Sequence, residues 1–138
     1  MFRLYISLLS LVALTLIACG SAEVSPTLSY YVAAQEALAA DDYARAHQAL
    51  QQLAQHADPA LKTLAKSAAE AGDIEAVRAA FKPLSAGMLK GEVPAGYVQA
   101  YCPMADNDKG AHWIQKDGPS IVNPYFGASM LHCGVFKE

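Results

Sequence analysis

The residues in this chain best suited to chemistry are four sulfur side chains set in two short pairs near the C-terminus. Cys102 and Met104 lie in the phrase Tyr-Cys-Pro-Met-Ala, and Met130 and Cys133 lie in Ser-Met-Leu-His-Cys-Gly. Thiolate and thioether are soft donors that suit Cu(I), and by the same softness Ag(I). Brought together, the pairs would make a site of three or four sulfurs. Two residues apart share a face if the first segment is extended. Three apart project to the same side if the second is a helical turn.

Two other chemistries compete for these residues. Zinc would draw on Cys102, Cys133, His112 and His132. It suits them less well, because His132 and Cys133 are adjacent and diverge in a regular backbone, and the two methionines would stay idle. A Cys102–Cys133 disulfide would close a 32-residue loop and contribute about 3.7 kcal/mol on loop entropy. In that case Met104 and Met130 would be gap-fillers in a small core. His47 and His56, nine residues apart on a helix, fall on opposite faces and read as surface residues. Trp113 reads as core, with a sharper alternative in which its ring stacks beside a bound cation. An enzyme is not expected. There is no Ser/His/Asp order with recognisable spacing, no Gly-rich phosphate loop and no haem-attachment motif, and nothing assembles around Cys102 and His112 as a nucleophile and base.

The elements that must position these residues follow from the pattern upstream. Residues 28 to 90 read as four short helices. Tyr31, Ala34 and Leu38 form the stripe of the first; Tyr43, Ala46, Leu50, Leu53 and Ala57 that of the second; Leu61, Leu64, Ala65 and Ala68 that of the third; Ile74, Val77, Phe81, Leu84 and Met88 that of the fourth. Asp42, Asp58 before Pro59, and Asp73 are helix caps, and Pro83 predicts a kink. Short connections make neighbouring helices antiparallel. After Gly91, Tyr-Val-Gln-Ala-Tyr-Cys alternates as a strand, and Gly-Ala-His-Trp-Ile pairs with it across the Asp-Asn-Asp-Lys-Gly turn. The expected fold is mainly α, a four-helix bundle followed by an irregular C-terminal segment with a small β-hairpin. One hairpin, Leu-Ala-Ala-Asp-Asp-Tyr-Ala-Arg-Ala-His, resembles a tetratricopeptide fragment, with no repeat to extend it.

The first eighteen residues read as an export signal: Arg3, then an apolar run from Leu4 to Ile17 shorter than a membrane span. The run ends in Leu-Ile-Ala-Cys, which resembles the lipobox of bacterial lipoproteins. That resemblance implies diacylglycerol on the Cys19 thiol and cleavage before it, a lipid anchor in the membrane, and, with Gly20 and Ser21 following, the outer membrane facing the periplasm. Residues 19–29 read as a tether and 30–136 as one domain, with the motif region at about 97–136. Of three cysteines, Cys102 and Cys133 then remain, in a compartment where disulfides form. The formal net charge is −3 with no basic cluster, so no nucleic-acid partner is expected.

Read in order, Tyr-Cys-Pro-Met, Ala-His-Trp, Asn-Pro-Tyr-Phe-Gly and Met-Leu-His-Cys-Gly resemble the C-terminal signature of a bacterial cell-envelope family of unknown function, some members of which are fused to adaptor subunits of copper/silver efflux pumps. The matching residues are Cys102, Pro103, Met104, Trp113, Asn123, Pro124, Tyr125, Gly127, Met130, Cys133 and Gly134. The resemblance implies a non-catalytic heavy-metal role with an efflux or other envelope protein as partner. His132 departs from the small polar residue of the signature; it would either add a ligand beside the metal or have no role in the site. The rival expectation is a helical interaction module stapled by Cys102–Cys133.

Overall fold

The computed structural model describes residues 24–137. Four helices come first: α1 (Pro26–Ala39), α2 (Tyr43–His56), α3 (Pro59–Ala69) and α4 (Ile74–Met88). Each is capped by a side-chain oxygen on its first free N–H groups: Ser25 to Leu28, Asp42 to Arg45, Asp58 to Ala60 and Leu61, and Asp73 to Ala76. The three Asp caps match expectation. Ser25 with Pro26 is the same signal one helix earlier, and it starts α1 at Pro26, two residues before the expected start and within the expected tether. α4 runs through Pro83 to Met88.

The expected stripes face the core: Tyr31, Ala34, Leu38, Leu50, Leu53, Val77, Phe81 and Leu84 are buried, while Tyr43, Ala57, Leu61, Leu64, Ile74 and Met88 are only partly buried against it. Each helix packs on the next in sequence, and the strand Ala111–Lys116 packs on α4 and α1. Among the described residues no helix is long and apolar enough to cross a membrane.

The C-terminal third is more regular than expected. β1 (Tyr97–Cys102) and β2 (Ala111–Lys116) form the expected hairpin, with Tyr97 opposite Lys116 and Cys102 opposite Ala111. A third strand, β3 (Val135–Lys137), pairs antiparallel on the other side of β1, giving the order β2-β1-β3. The outer edge of β2 is covered by two tyrosines. The Ile114 N–H donates to the Tyr31 hydroxyl at 3.2 Å, and the Tyr125 hydroxyl donates to the His112 carbonyl at 2.8 Å. These bonds satisfy backbone groups that an edge strand otherwise leaves open.

Aromatic rings join the bundle to the sheet. Tyr31 stacks on Phe81 at 5.0 Å, Phe81 meets Tyr125 at 6.1 Å, and Tyr125 meets the edge of Trp113 at 5.9 Å. Burying a ring such as Phe81 contributes about 1.5–3 kcal/mol. Arg78, buried on α4, holds the same junction through its guanidinium. Nε donates to the Pro124 carbonyl at 2.9 Å, Nη2 to the Leu38 carbonyl at 2.9 Å, and Nη2 also pairs with Asp41. The second Asp41 oxygen accepts the Ala128 N–H at 3.0 Å, so one ion pair ties the Asn-Pro-Tyr-Phe-Gly loop to α1 and α4.

Candidate metal centre

Strand register brings the two cysteines together. Tyr101 on β1 lies opposite Val135 on β3. One further step along the ladder puts Cys102 across from Gly134, with Cys133 diagonal to it. Cys102 ends β1 on the buried face it shares with Ala100, while Cys133 is partly buried on the loop before β3. Their sulfurs are 3.0 Å apart and both are free thiols. An S–S bond is about 2.0 Å long, so the pair is in hydrogen-bond contact.

Met104 supplies a third sulfur. The Cys133 thiol points at its thioether, Sγ to Sδ 3.9 Å, and Met104 is 47% exposed. The three sulfurs therefore form a short chain from the core to solvent. The hydrogen bond with Cys102 is the main cause that pushes the Cys133 thiol above its ordinary pKa; burial and the charge of Cys102 add to it.

The local conformations differ from those the spacing predicts. The chain leaves its strand at Cys102, and Met104 is helical in backbone (φ −83°, ψ −14°), so these two sulfurs do not meet by sharing the face of an extended segment. Residues 127–129 form a 3₁₀ turn that ends before Met130, and a turn closed by the Cys133 N–H to the Met130 carbonyl (3.0 Å) follows. Met130 and Cys133 are therefore joined by a single hydrogen-bonded turn and not by a helix. Met130 instead lines, with Met104, Lys82, Asp106, Tyr125 and Phe126, a groove of about 450 Å³ beside the sulfurs.

The loop carrying Met104 is held in an uncommon conformation. Asp106, Asn107 and Asp108 all have positive φ (54°, 53° and 61°). Asp and Asn visit this region more readily than other L-residues, at roughly 1–2 kcal/mol each. An ion pair between Lys82 of α4 and Asp106 holds it.

Asn123 fixes the other side. Fully buried, it donates from Nδ2 to the Cys133 carbonyl at 2.8 Å and accepts the Tyr125 N–H at 2.8 Å; its own N–H donates to the Leu131 carbonyl at 2.8 Å. Gly134 has φ 136°, and a Cβ there would lie 2.7 Å from the Tyr101 carbonyl oxygen and 3.2 Å from Trp113. Only glycine lets the backbone after Cys133 settle onto β1 and the indole. Trp113 is fully buried, and its indole N–H donates to Gln115 Oε1 at 3.1 Å. Its place is the core beneath this loop.

The imidazoles are turned to other partners. His112 Nδ1 accepts from Gln99 Nε2 at 2.9 Å, its ring lies 4.5 Å from Tyr101, and burial first, then Lys137, lowers its pKa. His132 Nδ1 donates to the Ile121 carbonyl at 2.7 Å. His56 bonds the Gln52 carbonyl, and His47 packs on Tyr43. Among the described residues, no group of three or more His, Cys, Asp or Glu converges. Cys19 and the signal segment lie outside the described residues.

Asn123, Lys82 and Asp106 are the positioning residues that spacing alone does not single out. Asn before Pro reads as a turn in sequence, and nothing local marks that its amide reaches ten residues ahead to Cys133. No family model matches the chain, and neither the curated proteins nor the solved structures compared with it give a match.

Proposed function

We propose that this is a non-catalytic, lipid-anchored envelope protein that takes up a soft monovalent ion, Cu(I) in the first place and Ag(I) by the same chemistry, for buffering or handover to an efflux system. The observation that carries the reading is the convergence of Cys102, Cys133 and Met104 sulfurs without a bond between the cysteines. Two thiolates and a thioether suit a soft d¹⁰ ion of low coordination number, whereas zinc prefers four Cys, His or carboxylate ligands. Met130, in the adjoining groove, is the candidate fourth sulfur. Anchoring through Cys19, periplasmic exposure and an efflux partner rest on the lipobox-like sequence and on the resemblance of the C-terminal signature.

The test is a Cu(I) titration of the purified, reduced chain against a competing chelator. One ion should bind per chain, with affinity lost in Cys102→Ser and lowered in Met104→Leu. Unchanged affinity in both variants would remove the site.

A second reading is a helical interaction module with Cys102–Cys133 as a staple. It is favoured by β3, an edge strand whose Val135 and Phe136 are 54% and 42% exposed. Mass spectrometry of non-reduced protein from the envelope, finding a complete disulfide and no metal, would select it. A full free-thiol count would reject the staple.

A further inference from the structure

We infer that the Cys102–Cys133 pair is a thiol–disulfide exchange site with fixed roles, Cys133 reacting with an external disulfide and Cys102 resolving it. The effect on a bound ion rests on the metal-binding reading above; the exchange itself does not. The sulfurs are in contact at 3.0 Å, yet their surroundings differ. Cys102 is fully buried at the end of a strand paired on both sides, whereas Cys133 is partly open on a loop between a turn and Gly134. A disulfide carried by a protein or small thiol oxidant can reach only the second. Exchange depends on the thiolate fraction, which the raised pKa of Cys133 lowers, and on access, which the buried Cys102 lacks and Cys133 has.

The steps balance. The Cys133 thiolate attacks one sulfur of the oxidant, forming a mixed disulfide and expelling the oxidant's other sulfur as a thiolate. The Cys102 thiolate then attacks the Cys133 sulfur, closing the intramolecular bond and releasing the second oxidant thiol. Two electrons pass to the oxidant, whose disulfide becomes two thiols, and the protons of Cys102 and Cys133 are taken up by the thiols formed. Closure consumes both thiolates that would hold a soft ion, so the oxidised pair binds none, and a bound ion blocks exchange.

The experiment treats the purified full-length chain with oxidised glutathione and follows it by intact mass and peptide mapping. Loss of two hydrogens is expected, with the link mapped to Cys102 and Cys133 and not to Cys19. Cys102→Ala should accumulate the glutathione adduct on Cys133 at least about tenfold faster than Cys133→Ala accumulates it on Cys102, given the difference in access. Absence of the link in the unsubstituted chain, or equal adduct rates in two folded variants, would overturn the inference; where a variant fails to fold, mapping of the unsubstituted chain decides. Cu(I)-loaded chain should resist oxidation. A reduced chain that takes up no Cu(I) defeats the metal reading alone, while loaded chain that oxidises at the free rate refutes the mutual exclusion.

Discussion

Asn123 Nδ2 donates to the Cys133 carbonyl at 2.8 Å while its Oδ1 accepts the Tyr125 N–H, so one buried amide sets both the cysteine loop and the aromatic loop. Asn123→Ala leaves that carbonyl and that N–H without partners and should destabilise the fold by about 1–3 kcal/mol. The sulfur of Cys133 also loses its fixed place. Supporting residues of this kind typically account for about 10–100-fold in metal affinity. Urea unfolding and Cu(I) competition on the same variant check both halves. A variant losing stability but keeping full affinity would show that Asn123 holds only the fold.

Gly134→Ala tests the register that brings the cysteines together. The new Cβ meets the Tyr101 carbonyl and the Trp113 ring in a backbone conformation unfavourable to L-residues. The expected cost is about 1–3 kcal/mol, taken mainly by detaching β3 and Cys133 from β1. The single tryptophan lies against this contact, so its emission should shift to the red before the helices unfold. Helical circular dichroism unchanged at that point would locate the damage in the sheet.

The helical half was legible in sequence because its signals are local. Asp42, Asp58 and Asp73 cap their own helices, and the stripes through Leu50, Leu53, Phe81 and Leu84 are core. The β1–β2 hairpin was legible from alternation and a polar turn. β3 was not: three residues ending at Lys137 carry too little pattern, and the strand exists only through pairing with Gln99 to Tyr101. Residue type marks Cys102 and Cys133 as partners, but local spacing does not place Met104 and Met130. The contacts that decide their places are tertiary: Lys82 to Asp106, and Asn123 to Cys133.

Acid should loosen the C-terminal loop before it unfolds the bundle. The Asp41 carboxyl lies below its ordinary pKa, chiefly because it accepts the Ala128 N–H and then because it bonds Arg78. A lowered folded pKa means the unfolded state binds the proton more readily. The contribution is therefore present above the unfolded value of about 3.9 and is lost as pH falls through the lower folded one. Titrating from about pH 5 to about pH 2 should change Trp113 emission ahead of helical signal. Asp41→Asn should abolish that early phase. If the phase persists unchanged, the Arg78–Asp41–Ala128 tie does not control docking of the loop.

The two methionines should separate in their effect on the ion. Met104 Sδ touches the Cys133 thiol, whereas Met130 lines the groove with no hydrogen-bond contact to the thiols. Leucine conserves volume at either site, with a stability cost below about 1.5 kcal/mol, so affinity can be compared without loss of fold. Replacing a ligand in contact should lower Cu(I) affinity by at least about tenfold, the equivalent of about 1.4 kcal/mol. Met104→Leu should show this loss and Met130→Leu should fall short of it. X-ray absorption at the copper edge gives an independent measure: three sulfur neighbours in the unsubstituted chain and two in Met104→Leu. Four neighbours, with Met130→Leu losing one, would mean that the loop of residues 127–133 rearranges on binding to bring Met130 in, and the three-sulfur arrangement would then describe the metal-free state alone.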